Sequence, residues 1–175
     1  MGLLAALWGV SGVAGVLAFA VYRLTPIAFE AIMSELTAIQ WTVLVVNTLF
    51  MAWSEGYRGF QLKFCPRVAA RALYLCRNPS LRDAVLAPLF VVGFFRSERR
   101  TMIVAWAGTF GIIALVILVH QLNQPWRGII DAGVVLGLSW GLVTFVTMVF
   151  KTFRDGRYYH CPEVPGTSVE VAHTA

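Results

Sequence analysis

Four stretches of this chain, residues 3–22, 36–53, 101–122 and 128–150, each run for about twenty residues with at most one Asp, Glu, Lys or Arg. A bilayer core of roughly 30 Å is crossed by about 20 apolar residues in a helix, so each stretch predicts a transmembrane helix. Polar interruptions inside them are few: Asn47 in the second, His120 in the third and Asp131 near the start of the fourth. Composition agrees, with 58% hydrophobic and 13% charged residues among 175, where a soluble domain carries about 25% charged. That excludes an ordinary soluble domain, intrinsic disorder and a nucleic-acid-binding module. The expected fold is all-α: one membrane-embedded helical domain over 1–160, and a disordered tail over 161–175 whose prolines and small polar residues show no apolar period.

Residues 84–95 are apolar but include Pro88 and are flanked by Arg82 and Arg96. A 12-residue helix covers about 18 Å, too little to cross, which predicts a short re-entrant or interfacial segment. The first stretch lacks the basic start of a signal peptide and exceeds its usual apolar length, so it reads as a retained anchor.

Thr25-Pro26 reads as a helix start, because Thr caps and Pro fits the first helical position. No strong breaker follows until Cys65-Pro66, which predicts one long second helix over about 26–64. Beyond it, Arg67, Ala70, Arg71 and Tyr74 alternate basic and apolar character at helical spacing, the pattern of an amphipathic helix lying on a membrane surface. Asn78-Pro79 ends that helix. Ser80-Leu81-Arg82-Asp83 then resembles a capping box with Asp where Glu or Gln is usual.

The net charge of +5 has a position. Residues 55–100, read as a loop, hold nine of the 14 basic residues: Arg58, Lys63, Arg67, Arg71, Arg77, Arg82, Arg96, Arg99 and Arg100. Lys151, Arg154 and Arg157 follow the last stretch, and only Arg23 and Arg127 fall on the other side. Twelve against two predicts that this loop and both termini are cytoplasmic. Cys65, Cys76 and Cys161 lie on the same side, where thiols stay reduced. Twelve of the 14 basic residues are Arg, which together with the Ala, Val, Gly and Leu richness gives the look of a GC-rich bacterial genome and hence of a bacterial inner membrane.

The sharpest motif is Gly133-x-x-x-Gly137-x-x-x-Gly141, a glycine zipper on one face of the last stretch. Glycines four apart let another helix backbone approach closely. The partner is either a helix of the same bundle, with Ser11, Gly15, Ala107 and Gly111 as small counterparts, or a homo- or hetero-oligomer. Four residues form a possible polar site: Asn47, Glu55, His120 and Asp131. Asn47 reads as an interhelical hydrogen bond or part of a polar pathway. Asp131 reads as a shallow charge paired with Arg127 four residues earlier, or as a proton or cation site shared with His120. Glu55 and Arg58 can pair at i, i+3.

Arg58, Arg67, Arg71, Arg77 and Arg82 form a basic cluster placed at headgroup depth, an expected binding surface for anionic lipids or an acidic partner. Chemistry there would need a second carboxylate or a His beside Glu55, and the candidates, Asp83 and Glu98, sit in no motif. No residue is singled out as catalytic. No metal-spaced His/Cys cluster and no nucleotide-binding or nucleophile-elbow pattern occurs, and two bare Cys-Pro dipeptides are weak grounds for haem, so no cofactor is implied. The expected function is a small non-enzymatic membrane subunit, assembly factor or interaction module with a basic cytoplasmic lipid- or partner-binding loop. The alternatives are an oligomeric transporter or channel using Asn47, His120 and Asp131, and an enzyme acting on a phosphorylated lipid through Glu55, Arg58 and Arg67.

Overall fold

The structure is a computed structural model, and residues 1–166 are described. Every regular element is helical: α1 Gly2–Met33, α2 Ala38–Met51, a wide-turn segment Ala52–Phe64, α3 Cys65–Arg77, α4 Leu81–Val85, α5 Ala87–Val92, α6 Arg99–His120 and α7 Trp126–Asp155. Three of them, α1, α6 and α7, are long and apolar enough to cross a membrane, which marks the chain as a membrane protein. The expected span over 36–53 is not among them. Its apolar helix α2 has 14 residues, and the helix then continues through a polar sequence.

The first departure from expectation lies at Thr25-Pro26, which does not start a helix: α1 runs through Pro26 to Met33. An interior proline removes one backbone hydrogen bond, and here the Thr25 hydroxyl donates to the Val21 carbonyl at 2.7 Å. The break comes later. The Ser34 hydroxyl closes α1 on the Ala31 carbonyl at 2.6 Å, and a capping box opens α2. In that box the Gln40 amide N–H donates to Thr37 Oγ1 at 3.4 Å, and the Thr37 N–H donates to Gln40 Oε1 at 2.8 Å.

From Ala38 to Arg77 the chain is one continuous helical rod. In its middle, hydrogen bonds skip five residues rather than four, as where the Cys65 N–H donates to the Phe60 carbonyl. Gly56 and Gly59, poor α-formers, fall within this stretch. The rod lies antiparallel to α7. Asn47 meets Ile129 and Ile130 at one end, and Arg77 meets Gly156 at the other. α1 is antiparallel to the rod as well, with Gly2 beside Cys76 and Ala31 beside Gly128.

The hydrophobic core sits at the end where Gly2, Arg77 and Gly156 meet, the basic end. Val68, Ala69, Ala70, Ala72 and Leu75 of α3 pack there with Ala87, Phe90 and Val91 of α5 and Phe145 of α7, all at 1% exposure or less. This is a second departure: α3 is enclosed by α1, α5 and α7 rather than lying on a membrane surface. Alanines at 69, 70 and 72 let the neighbouring helices close in, and Arg71 of the basic face is covered with them, while Arg67 is half-buried and Arg77 exposed. Residues 84–95 form the end of α4, then α5 and its terminating Gly93 at φ +102, a left-handed geometry that glycine adopts freely. Neither short helix can cross a bilayer. Residues 161–164 are packed rather than loose, with Pro162 and Val164 buried, and 165 and 166 are exposed. The rest of the expected disordered tail, 167–175, lies outside the described residues.

Candidate functional site

At the basic end the expected cluster separates into residues with different jobs. Arg71 has no exposed surface. Its Nε donates to the Phe90 carbonyl at 2.7 Å, Nη1 to Pro162 at 2.8 Å, and Nη2 to Phe95 and Arg96 at 3.1 and 3.2 Å. The guanidinium also lies 4.3 Å from the Phe90 ring centroid. Burial lowers it to about 10, with the Glu163 carboxylate working against the shift, so it keeps its charge at neutral pH. Arg71 therefore ties α3, α5, the 95–96 turn and the returning tail together. Glu163 adds a second tie by accepting from the Thr101 hydroxyl.

Arg77 holds the same tail: its Nη2 donates to the Gly156 carbonyl at 2.5 Å and its guanidinium lies 5.0 Å from the Tyr158 ring centroid. Arg67 is half-buried, its Nε finds no acceptor among the described residues, and burial lowers its guanidinium. Arg82 remains on the surface. Asp83 completes only half of a capping box. Its N–H donates to Ser80 Oγ at 3.2 Å, while its carboxylate turns to an ion pair with Arg96, which is held at φ +49. Around that pair lies a cavity of about 760 Å³ lined by Leu81, Arg82, Asp83, Val85, Leu86, Phe95 and Arg96. The exposed Leu81, Val85 and Leu86 with Arg82 and Arg96 of the same lining, and the exposed Leu89 of α5, give this end an apolar edge flanked by cations.

Gly133, Gly137 and Gly141 face the 38–77 rod of their own chain. Gly133 lies against Asn47 and Met51, Gly137 against Glu55, and Gly141 against Phe60, where a Cβ would come within 2.5 Å of the ring. Asn47 sits in that seam, donating to the Ile129 and Ile130 carbonyls at 2.9 and 3.4 Å. Glu55 is brought to the height of Gly137, near the middle of 128–150 rather than beyond its end. Arg58 does not pair with it. With i→i+5 hydrogen bonding the turn is wider, residues four and five apart share a side, and the Arg58 guanidinium lies 5.0 Å from the Trp53 ring centroid. No hydrogen bond or ion pair joins any two of Glu55, Arg58 and Arg67. Gln61 lies at the same height, accepting from Trp140 Nε1 at 2.9 Å.

At the opposite end His120, Arg127 and Asp131 do come together. Arg127 Nη2 is 3.3 Å from His120 Nε2, and its Nε is 3.8 Å from the buried Asp131 carboxylate. Gln124 bridges to α1, donating to the Ile27 carbonyl at 3.3 Å and to Glu30 at 3.4 Å. Among the described residues no group of His, Cys, Asp and Glu could hold a metal ion.

The largest feature that sequence reasoning did not single out is the isolation of α6 from the rest of the chain. Of its 22 residues only Thr101, Ala105 and Val119 are buried, and a Cβ at Gly108 or Gly111 would meet no atom within 4 Å. It is held at its ends, by Phe94 against Trp106 and by Arg127 against His120, and stands clear of the bundle between. No family model, curated protein or solved structure matches this chain.

Proposed function

We propose that the chain is a non-enzymatic subunit or assembly module of a membrane complex, whose working surface is lateral contact with another membrane-spanning helix. One observation carries this reading: α6 is apolar along its length yet contributes almost nothing to the packing of its own chain. Helices in a bilayer associate through close packing of small residues, and α1, α7 and the 38–77 rod do so with one another. α6 keeps Gly108, Gly111 and its apolar flanks free for a partner.

In this reading the 38–77 rod makes a fourth crossing, shielded on one side by α7. The basic end and both termini face the cytoplasm, in a bacterial inner membrane. The cation-flanked apolar edge at Leu81, Val85, Leu86 and Leu89 rests on anionic lipid, with Arg82 and Arg96 at headgroup depth. Benzophenone placed at Ile112, which is 65% exposed, tests the reading in native membranes. Crosslinking to one other membrane protein is expected. Crosslinking to lipid alone would reject it.

A further inference from the structure

The outward side of the wide-turn segment is the second unsatisfied surface of the chain. Trp53, Arg58, Leu62 and Lys63 are spaced four and five apart, the spacing that shares a side when hydrogen bonds skip five residues, and all four are exposed. On the other side Gly56 meets Trp140, and Phe60 meets Gly141. Those α7 residues are near the middle of the apolar stretch 128–150. Trp140 is ten residues from Phe150, about 15 Å at 1.5 Å per residue. The stem of a Lys or Arg side chain does not reach that far to water. Arg58 does not even point towards the basic end, since it folds over Trp53, earlier on the rod. Among the described residues neither Arg58 nor Lys63 has a carboxylate partner.

Hydrocarbon does not satisfy two cations at that depth; such residues pair with counter-charges, face protein or meet water. Neither the groove lined by Thr25, Leu44 and Ser139 among others nor the cavity around Arg96 includes this face. Trp53 and Leu62 flank the cations with 54% and 52% of their surface free, which is the make-up of a docking surface with an aromatic anchor. A second copy of this chain would set Arg58 and Lys63 against their own equivalents across a two-fold axis, like charge on like.

We infer that the Trp53, Arg58, Leu62 and Lys63 face receives a membrane-spanning helix of a different protein, one that carries an Asp or Glu near its middle. The inference rests on the subunit reading above and specifies the chemistry of the partner.

Benzophenone at Leu62, in cells expressing the full chain, tests it. The expected product is a crosslink to a membrane-spanning peptide containing Asp or Glu. Arg58→Glu with Lys63→Glu should cut that product at least tenfold, and Asp or Glu→Lys in the captured peptide should restore it. Should the doubly acidic variant fail to accumulate, Arg58→Gln with Lys63→Gln replaces it, with a loss of the same direction. A crosslink to lipid, to a second copy, or to a segment without an acidic residue would overturn the inference, as would a yield unchanged by the charge variants. The Ile112 probe separates the two ideas. A partner captured at Ile112 but not at Leu62 removes the inference alone, while no partner at Ile112 removes the subunit reading that α6 carries.

Discussion

The Arg58 guanidinium lies over the Trp53 ring, five residues back, and not beside Glu55, three residues back. On an α-helix the Glu55 pairing would be open; on a helix with i→i+5 bonds it is turned away. A double-mutant cycle in detergent therefore gives a coupling of about 0.5–1 kcal/mol between Arg58 and Trp53, and one near zero between Arg58 and Glu55. A larger coupling for the charged pair would contradict the wide-turn geometry.

Arg71 holds four carbonyls from three segments. Arg71→Ala takes this donor from all four; the Phe90 and Phe95 carbonyls keep the Gly93 N–H and the Ser97 hydroxyl, while those of Pro162 and Arg96 lose the guanidinium in a buried place, and a loss of about 1–3 kcal/mol follows. Arg71→Lys rescues little, because an ammonium on a flexible stem does not reproduce the planar fork. Thermal unfolding in detergent measures the loss. Hydrogen exchange should quicken first at 157–164, the segment released with the Pro162 carbonyl.

The glycines grade by what a methyl group would meet. At Gly128 it would lie 2.6 Å from the Ile27 carbonyl, fixed backbone of α1, and against Ala31. Gly128→Ala is thus expected to cost about 1–3 kcal/mol by overpacking. At Gly137 the nearest atom is 3.4 Å away, and at Gly111 there is none within 4 Å, so alanine there leaves the melting temperature unchanged or raises it. Equal losses at all three positions would show that the helices do not pack as described.

Cys65 is fully buried, its thiol 3.7 Å from the Gly141 carbonyl, whereas Cys76 and Cys161 are half-buried near the basic end. Maleimide should modify Cys76 and Cys161 in the folded protein and reach Cys65 only after denaturation. A membrane-impermeant maleimide applied to sealed vesicles should label the first two from the cytoplasmic side alone. Labelling from the other side would reverse the proposed topology.

Apolar length made α6 and α7 legible in the sequence nearly to their ends, and it located the beginning of α1. It did not locate the break after α1. Thr25-Pro26 carried a start signal, but one missing hydrogen bond does not stop an apolar helix. The Thr37-x-x-Gln40 box that does open α2 is visible in the sequence once a break is sought there. Charge counting treated 55–100 as a loop outside the bilayer. Charge reports preference for a side, not height along a neighbour, and Gly137, Trp140 and Gly141 hold 55–61 at mid-height of α7. The burial of Arg71 depends on Pro162, 91 residues later, so local spacing could not disclose it. The freedom of α6 is a property of what does not touch it, which no periodicity records.

The central question is whether this chain lives in a complex. Native mass spectrometry of the protein released from its own membrane in a gentle detergent gives the answer. The prediction is a complex of fixed stoichiometry with a different membrane protein, lost when Ile112 and Ile113 on α6 are both changed to Lys while the chain remains helical. A chain recovered alone with lipid, at wild-type sequence and under conditions that preserve known membrane assemblies, would contradict it.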